Sequence, residues 1–182
     1  MERNSLVVNL FSGPGSGKST MAAYVFALLK FAGRDVELVM ETYKDIIWGQ
    51  EIKAGLDQVY VQGKQHFRIG RLLGEVDFVL VDSPLALQTV YAGDNQALID
   101  LGIQEHKKLN SWNVFVNRVV PYSPIGRIHE GPEAIEIDNK TKEMLERYDI
   151  PYITLDGSKE GGETLAAMLL DMPTHAPYEE ED

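Results

Sequence analysis

The sequence contains no cysteine and no long apolar run, and it has fewer basic than acidic residues. The lack of cysteine excludes disulfides, thiolate zinc sites and a cysteine nucleophile. The apolar run nearest the N-terminus, Leu6 to Phe11, is too short for a secretory signal. It is also too short for a spanning helix, which needs about 20 apolar residues. We therefore expect a cytoplasmic protein with no membrane partner.

The charge balance is acidic, with 28 acidic and 17 basic residues and a formal net charge of −11. Such a surface repels a nucleic-acid backbone unless a local basic groove exists, so a nucleic-acid partner is disfavoured but left open. Solubility is the simpler explanation of the charge. Residues 172–182 contain two prolines and end in four consecutive acids, which predicts a flexible acidic tail.

The length of 182 residues and the 44% hydrophobic content predict a single globular domain, residues 1–171, that could form a homo-oligomer. Short apolar runs alternate with helical patterns along this domain. The pattern predicts strands over 6–11, 36–40, 76–81, 112–116 and 152–155, and helices over 18–32, 95–109, 139–148 and 162–171. Residues 43–74 read as mostly helical, with breaks near Gly55 and Gly63. Strands that alternate with helices predict an α/β fold with a five-stranded parallel sheet between two helical layers.

A glycine-rich segment joins the first strand to the first helix. Its glycines allow successive N–H groups to face one anion, and the helix N-terminus adds a partial positive charge. The Lys18 ammonium group can reach the β- and γ-phosphates of a nucleotide, and the Ser19 hydroxyl can bind Mg²⁺. Serine occupies position 12, where the usual pattern begins with glycine. A plain glycine-rich turn is the alternative, but the strand and helix on either side favour a P-loop and a P-loop NTPase fold. The nucleotide-binding residues are then Gly13, Pro14, Gly15, Ser16, Gly17, Lys18, Ser19 and Thr20.

A carboxylate partner for this loop should end a neighbouring strand, and Asp82 directly follows the run Val79 to Val81. We expect Asp82 and Ser19 to hold Mg²⁺, Asp82 directly or through water. An ordinary turn aspartate before Pro84 is the alternative.

The acceptor of a phosphoryl group would lie near the end of the second strand. Glu41 falls just beyond this strand and could orient an acceptor hydroxyl or take its proton. Tyr43, Trp48 and Arg68 lie in the following segment and could wall the acceptor pocket. A solvated loop acid and a helical core face are the corresponding alternatives.

Two arginines in or beside a Pro- and Gly-rich segment predict a lid over residues 118–133. Arg118 follows the fourth strand and Arg127 lies within the segment, so both could reach phosphates when the lid closes. A solvated arginine is again the alternative. The residues after the fourth strand, Asn117 to Val120, lack the aspartate of a guanine-reading loop, which favours ATP over GTP.

These motifs together resemble the P-loop small-molecule kinases. Gly13 to Lys18 looks like the phosphate loop of adenylate-kinase-type enzymes. The longer pattern is similar to the nicotinamide riboside kinase domain and to related phage-encoded P-loop kinases. It comprises the acid Glu41, the Asp82 to Pro84 turn, the Val119 to Arg127 stretch and the ending Asp149 to Ser158. The resemblance implies ATP, Mg²⁺ and a nucleoside-like or nucleotide-like small-molecule acceptor. It also implies catalytic roles for Lys18, for Glu41 or Asp82, and for Arg127.

Three functions fit these observations. The first is ATP-dependent phosphorylation of a nucleoside, nucleotide or related metabolite. The second is phosphorylation of a modified base within DNA, which the acidic balance disfavours. The third is a nucleotide-dependent switch or ATPase that has no acceptor.

Overall fold

The computed structural model describes residues 4–49, 57–119 and 131–173. Its five strands are β1 (Leu6–Phe11), β2 (Val36–Val39), β3 (Phe78–Val81), β4 (Ser111–Asn117) and β5 (Ile153–Asp156). They form one parallel sheet in the order β2-β3-β1-β4-β5. The predicted five-stranded α/β fold is confirmed. Because β1 lies at the centre, the residues that follow it are flanked by the ends of β3 and β4.

Six α-helices and one 3-10 helix connect the strands within the described residues. They are α1 (Lys18–Phe31), α2 (Thr42–Trp48), α3 (Gln58–Gly70), the 3-10 helix (Ala86–Tyr91), α4 (Gln96–Lys107), α5 (Gly131–Arg147) and α6 (Lys159–Leu170). None of the helices in this part of the chain has the length and hydropathy of a membrane span.

The helices cover both faces of the sheet. On one face, α1 and α6 pack against β1, β3 and β4 through buried residues that include Leu10, Val25 and Leu165. On the other face, the 3-10 helix, α4 and α5 enclose Phe11 and Phe115, while α3 packs over Val79 and Val81. Strands buried on both faces need no polar alternation, which explains their nearly continuous apolar sequences.

Several element boundaries differ from the sequence prediction. Helix α3 runs through Gly63 without a break, because a single helical glycine costs only about 1 kcal/mol and packing outweighs it. Helix α5 begins at Gly131 rather than near residue 139, so the last part of the predicted 118–133 loop is helical. The 3-10 helix after β3 was not predicted, since its six residues are too short to show a helical period. Residues 120–130 of the proposed lid and residues 174–182 of the proposed tail lie outside the described residues.

Candidate active site

The candidate site lies at the carboxyl edge of the sheet, where all five parallel strands end. The segment 12–17 follows β1, Asp82 follows β3, and Arg118 follows β4. Glu41 follows β2 and Gly157 follows β5. Ligands of open parallel sheets bind at this edge, so the topology brings the sequence-predicted residues to one crevice.

The loop after β1 has the backbone of an anion-binding turn. Gly15 and Gly17 adopt positive φ angles of 78° and 100°, which glycine reaches without steric cost. Gly17 leads directly into the N-terminus of α1. The Lys18 ammonium group lies across the start of the loop and donates to the carbonyl oxygens of Ser12 and Gly13, each at 2.8 Å. The Lys18 side chain therefore links the end of the loop to its first two residues.

The turn between β5 and α6 packs directly against this loop. The Gly157 N–H donates to the Asn117 carbonyl oxygen at 2.9 Å. A side chain at Gly157 would overlap the Ser16 carbonyl oxygen, and one at Gly17 would lie 2.8 Å from the Gly157 carbonyl oxygen. The turn therefore lies against the backbone of the loop after β1.

Asp82 is the buried carboxylate of the site. The residue is 1% exposed, and neither of its carboxylate oxygens has a hydrogen-bond partner among the described residues. Its backbone N–H donates to the Val39 carbonyl oxygen at 3.0 Å, which fixes the residue at the end of β3. A buried carboxylate without donors is costly unless a cation approaches it, so Asp82 fits a metal ligand.

No group of three or more acidic or histidine side chains forms a metal cage within the described residues. Mg²⁺ in nucleotide sites usually has only one or two protein ligands, the others being phosphates and water. Asp82 could supply one such ligand.

The turn that bears Glu41 is braced from α3. Arg68 donates to the Met40 carbonyl oxygen at 3.2 Å and to the Thr42 hydroxyl at 3.4 Å. It also pairs with Asp45 at 2.7 Å. Arg68 therefore bonds to the residues on either side of Glu41. It lies at the predicted acceptor region, where its contacts fix this turn.

A buried glutamine links this turn to the turn after β3. The Gln65 side chain accepts a hydrogen bond from Thr42 at 2.8 Å and donates to the Ser83 carbonyl oxygen at 2.9 Å. Gln88 on the 3-10 helix donates to the Ser83 hydroxyl at 2.6 Å. These bonds fix the Glu41 and Asp82 turns relative to each other.

Two tyrosines, Tyr43 and Tyr91, lie near Glu41. Burial raises the pKa of the Tyr91 phenol well above its usual value, and the charges of Glu41 and Asp138 raise it further. Burial followed by Glu41 raises the pKa of Tyr43. Both phenols stay protonated at neutral pH and can donate hydrogen bonds. Tyr91 was not predicted from the sequence, because the short 3-10 helix that carries it gives no periodic signal.

Asp138, on α5, is a second site residue that sequence reasoning missed. Its Oδ1 atom accepts hydrogen bonds from the Ser12 hydroxyl at 2.7 Å and from the Gly13 N–H at 2.5 Å. Its Oδ2 atom accepts from Arg118 Nε at 3.1 Å and Nη2 at 2.9 Å. Arg118 also donates to the Pro14 carbonyl oxygen at 2.9 Å, so the predicted Arg118 does reach the phosphate loop.

Two predicted site residues cannot be placed in this way. Arg127 lies outside the described residues. Trp48 ends α2, and its side chain lies outside the described part of the structure. The structure thus brings Lys18, Glu41, Tyr43, Arg68, Asp82 and Arg118 to one edge of the sheet.

The sequence matches no protein-family model and no curated protein. Solved structures do match, and one is a deoxyadenosine kinase from M. mycoides determined with the product dCMP and a flexible dCDP. That structure aligns over 91% of this chain and 100% of its own, with a TM-score of 0.59 and 17% sequence identity. At this identity the likeness shows the fold alone.

Proposed function

We propose that the protein is a P-loop kinase that transfers the γ-phosphoryl group of MgATP to a nucleoside, nucleotide or related small metabolite. One observation carries the proposal. A phosphate loop at the N-terminus of α1 lies beside a strand whose terminal carboxylate, Asp82, is buried without a hydrogen-bond partner among the described residues. This pairing suits a nucleotide phosphate and its cation.

The roles of the loop residues follow from their chemistry. The N–H groups of residues 13–20 and the α1 N-terminus would bind the phosphates, and Lys18 would place its charge between the β- and γ-phosphates. Ser19 and Asp82 would hold Mg²⁺, which neutralises phosphate charge when bound. Arg118, already on the loop, and Arg127 would add positive charge as the leaving group forms.

The acceptor would bind beside the Glu41 turn, at the carboxyl edge of the sheet. Glu41 would take the proton of the acceptor hydroxyl as that oxygen bonds to the γ-phosphorus and the bond from phosphorus to the bridging oxygen of ADP breaks. Tyr43 and Tyr91 would donate hydrogen bonds to the acceptor. Arg68 would act indirectly, by fixing the backbone on both sides of Glu41. The deoxyadenosine kinase likeness supports a nucleoside-class acceptor.

The choice of ATP rests on the sequence after β4. Asn117 and Arg118 are followed by two valines rather than by the aspartate that reads guanine. Asn117 itself donates to Asp156 at 3.2 Å, which ties it to β5.

A substrate screen tests the proposal directly. The protein would be incubated with labelled MgATP and a panel of nucleosides, nucleoside monophosphates and nicotinamide riboside, and the products would be read by mass spectrometry. We expect one class to gain a phosphoryl group. Lys18→Ala should abolish the transfer, and Glu41→Gln should reduce it about a hundredfold while ATP affinity changes little.

Three results would contradict the proposal or its parts. Slow ATP hydrolysis that no acceptor stimulates would favour a nucleotide switch. Normal transfer by Lys18→Ala would remove the phosphate-loop assignment. An equal loss of ATP affinity and transfer in Glu41→Gln would make Glu41 a structural or metal-binding residue.

A further inference from the structure

The first residue of the phosphate loop, Ser12, makes a side-chain hydrogen bond. Ser12 stands where glycine begins the usual pattern, it is 1% exposed, and its hydroxyl donates to Asp138. The neighbouring Gly13 N–H donates to the same oxygen. The serine therefore converts the first position of the loop from a point of flexibility into an anchor.

Helix α5 is in direct contact with this part of the loop. A side chain at Gly13 would lie 2.5 Å from the Ala134 carbonyl oxygen and 2.9 Å from Asp138 Oδ1. Glycine at position 13 is thus required by the close approach of α5. The Lys18 ammonium group donates to the carbonyl oxygens of Ser12 and Gly13. Asp138 therefore binds the hydroxyl and N–H groups of these two residues, and Lys18 binds their carbonyl oxygens.

Asp138 also needs compensation, because a carboxylate beside a phosphate site would repel the nucleotide. Arg118 supplies it: the Arg118 and Asp138 side chains are only 17% and 15% exposed, and they are joined at 2.9 Å. The third nitrogen of the guanidinium group donates to Pro14 in the loop. The members of this partly buried set therefore hold one another in place.

We propose that Asp138 is a positioning residue that holds the start of the phosphate loop, through Ser12 and Gly13, and keeps Arg118 on the loop. This proposal rests on the nucleotide-binding half of the proposed function and needs no acceptor. It makes Ser12 and Asp138 a functional pair, and it couples the phosphate loop to the helix that follows residues 120–130.

The test measures phosphate binding rather than catalysis. MgATP and magnesium tripolyphosphate would be titrated by calorimetry into the wild-type protein and into Ser12→Ala, Asp138→Ala and the double variant. Ser12→Ala should weaken both ligands about tenfold, the scale of one charge-assisted hydrogen bond, and Asp138→Ala should weaken them at least as much because it also releases Arg118. The double variant should lose no more than Asp138→Ala does, because that substitution already removes the acceptor of the Ser12 hydroxyl.

The matched control is Glu136→Ala. Glu136 lies two residues from Asp138 on α5, pairs with Lys140 at 2.6 Å and is exposed, so the same change of charge occurs away from the loop. It should leave both affinities unchanged. Tripolyphosphate carries no base, so an equal loss for both ligands places the effect at the phosphates.

Unchanged or tighter binding by a folded Asp138→Ala variant would overturn the proposal, as would additive losses in the double variant. If Asp138→Ala does not fold, Ser12→Ala decides the matter alone, since it removes one hydroxyl and leaves the ion pair intact. Failure of the wild-type protein to bind MgATP would instead overturn the proposed function. The predicted losses of MgATP and tripolyphosphate affinity would support the role of Asp138 even if the substrate screen finds no acceptor.

Discussion

At the scale of single residues, Asp82 is buried, and its carboxylate oxygens have no hydrogen-bond partner in the described part of the chain. A carboxylate in that state destabilises the folded protein until a cation approaches it. Asp82→Asn should therefore raise the melting temperature of the metal-free protein by about 2–4 °C while raising the Mg²⁺ concentration needed for half-maximal transfer. Differential scanning fluorimetry and a magnesium titration measure the two effects.

Asp94→Asn is the control for the Asp82 variant, because Asp94 is exposed and its substitution removes the same charge. It should change neither quantity. A lower melting temperature for Asp82→Asn together with an unchanged magnesium requirement would show that the carboxylate serves the fold instead.

The roles proposed for single residues could be anticipated from sequence where neighbours in the chain define the chemistry. Lys18 and Ser19 follow a glycine-rich turn, which suggested the start of a helix, and Asp82 follows an apolar run, which suggested the end of a strand. Asp138 gave no such signal, because its partners Ser12 and Gly13 lie more than a hundred residues away. The serine at position 12 was the visible departure, but the sequence could not show what it contacts.

At the scale of elements, the turn from β5 to α6 supports the phosphate loop from behind. Gly157→Ala would place a methyl group against the Ser16 carbonyl oxygen. The methyl group is fixed to the backbone of residue 157 and the oxygen belongs to the backbone of residue 16, so neither can easily move. We expect a loss of stability of about 1–3 kcal/mol, typical of overpacking, together with weaker MgATP binding. Urea unfolding and calorimetry would measure the two losses.

Gly63→Ala is the matched substitution. Gly63 lies inside α3, and an added side chain would meet nothing within 4 Å, so the change should stabilise the protein by up to about 1 kcal/mol without affecting nucleotide binding. Normal MgATP affinity in Gly157→Ala would show that the loop does not depend on this turn.

Elements were predictable to the extent that their residues are periodic or continuously apolar. The strands and α1 were found nearly in full for this reason, and Gly33, with a φ of 75°, follows the C-terminal cap of α1. The start of α5 was missed because Gly131 and Pro132 resemble a loop, although proline is well tolerated in a first helical turn. The sheet order depends on contacts between distant strands, so only the parallel arrangement could be predicted.

At the scale of the whole molecule, the folded chain should lose stability in mild acid through one buried histidine. His106, on α4, is 2% exposed and packs against Phe11 with ring centroids 5.6 Å apart. Burial lowers its pKa to about 4, and the nearby Asn113 offsets only part of this effect. Neither ring nitrogen has hydrogen-bond geometry with a described residue.

The direction of the pH dependence follows from proton binding. Between about pH 6.5 and 4 the unfolded chain binds a proton at His106 that the folded chain does not, so the free energy of unfolding falls as the pH falls. The loss should approach about 3 kcal/mol at the acid end of this window. Urea unfolding at half-unit pH steps would measure it, and His106→Gln should remove most of the slope. His66→Gln, which replaces an exposed histidine paired with Glu105 at 3.3 Å, should leave the slope in place. A histidine C2 proton signal that titrates near pH 6.5 in the folded protein and is lost in His106→Gln would contradict this account, because the ring would then be accepting its proton without unfolding.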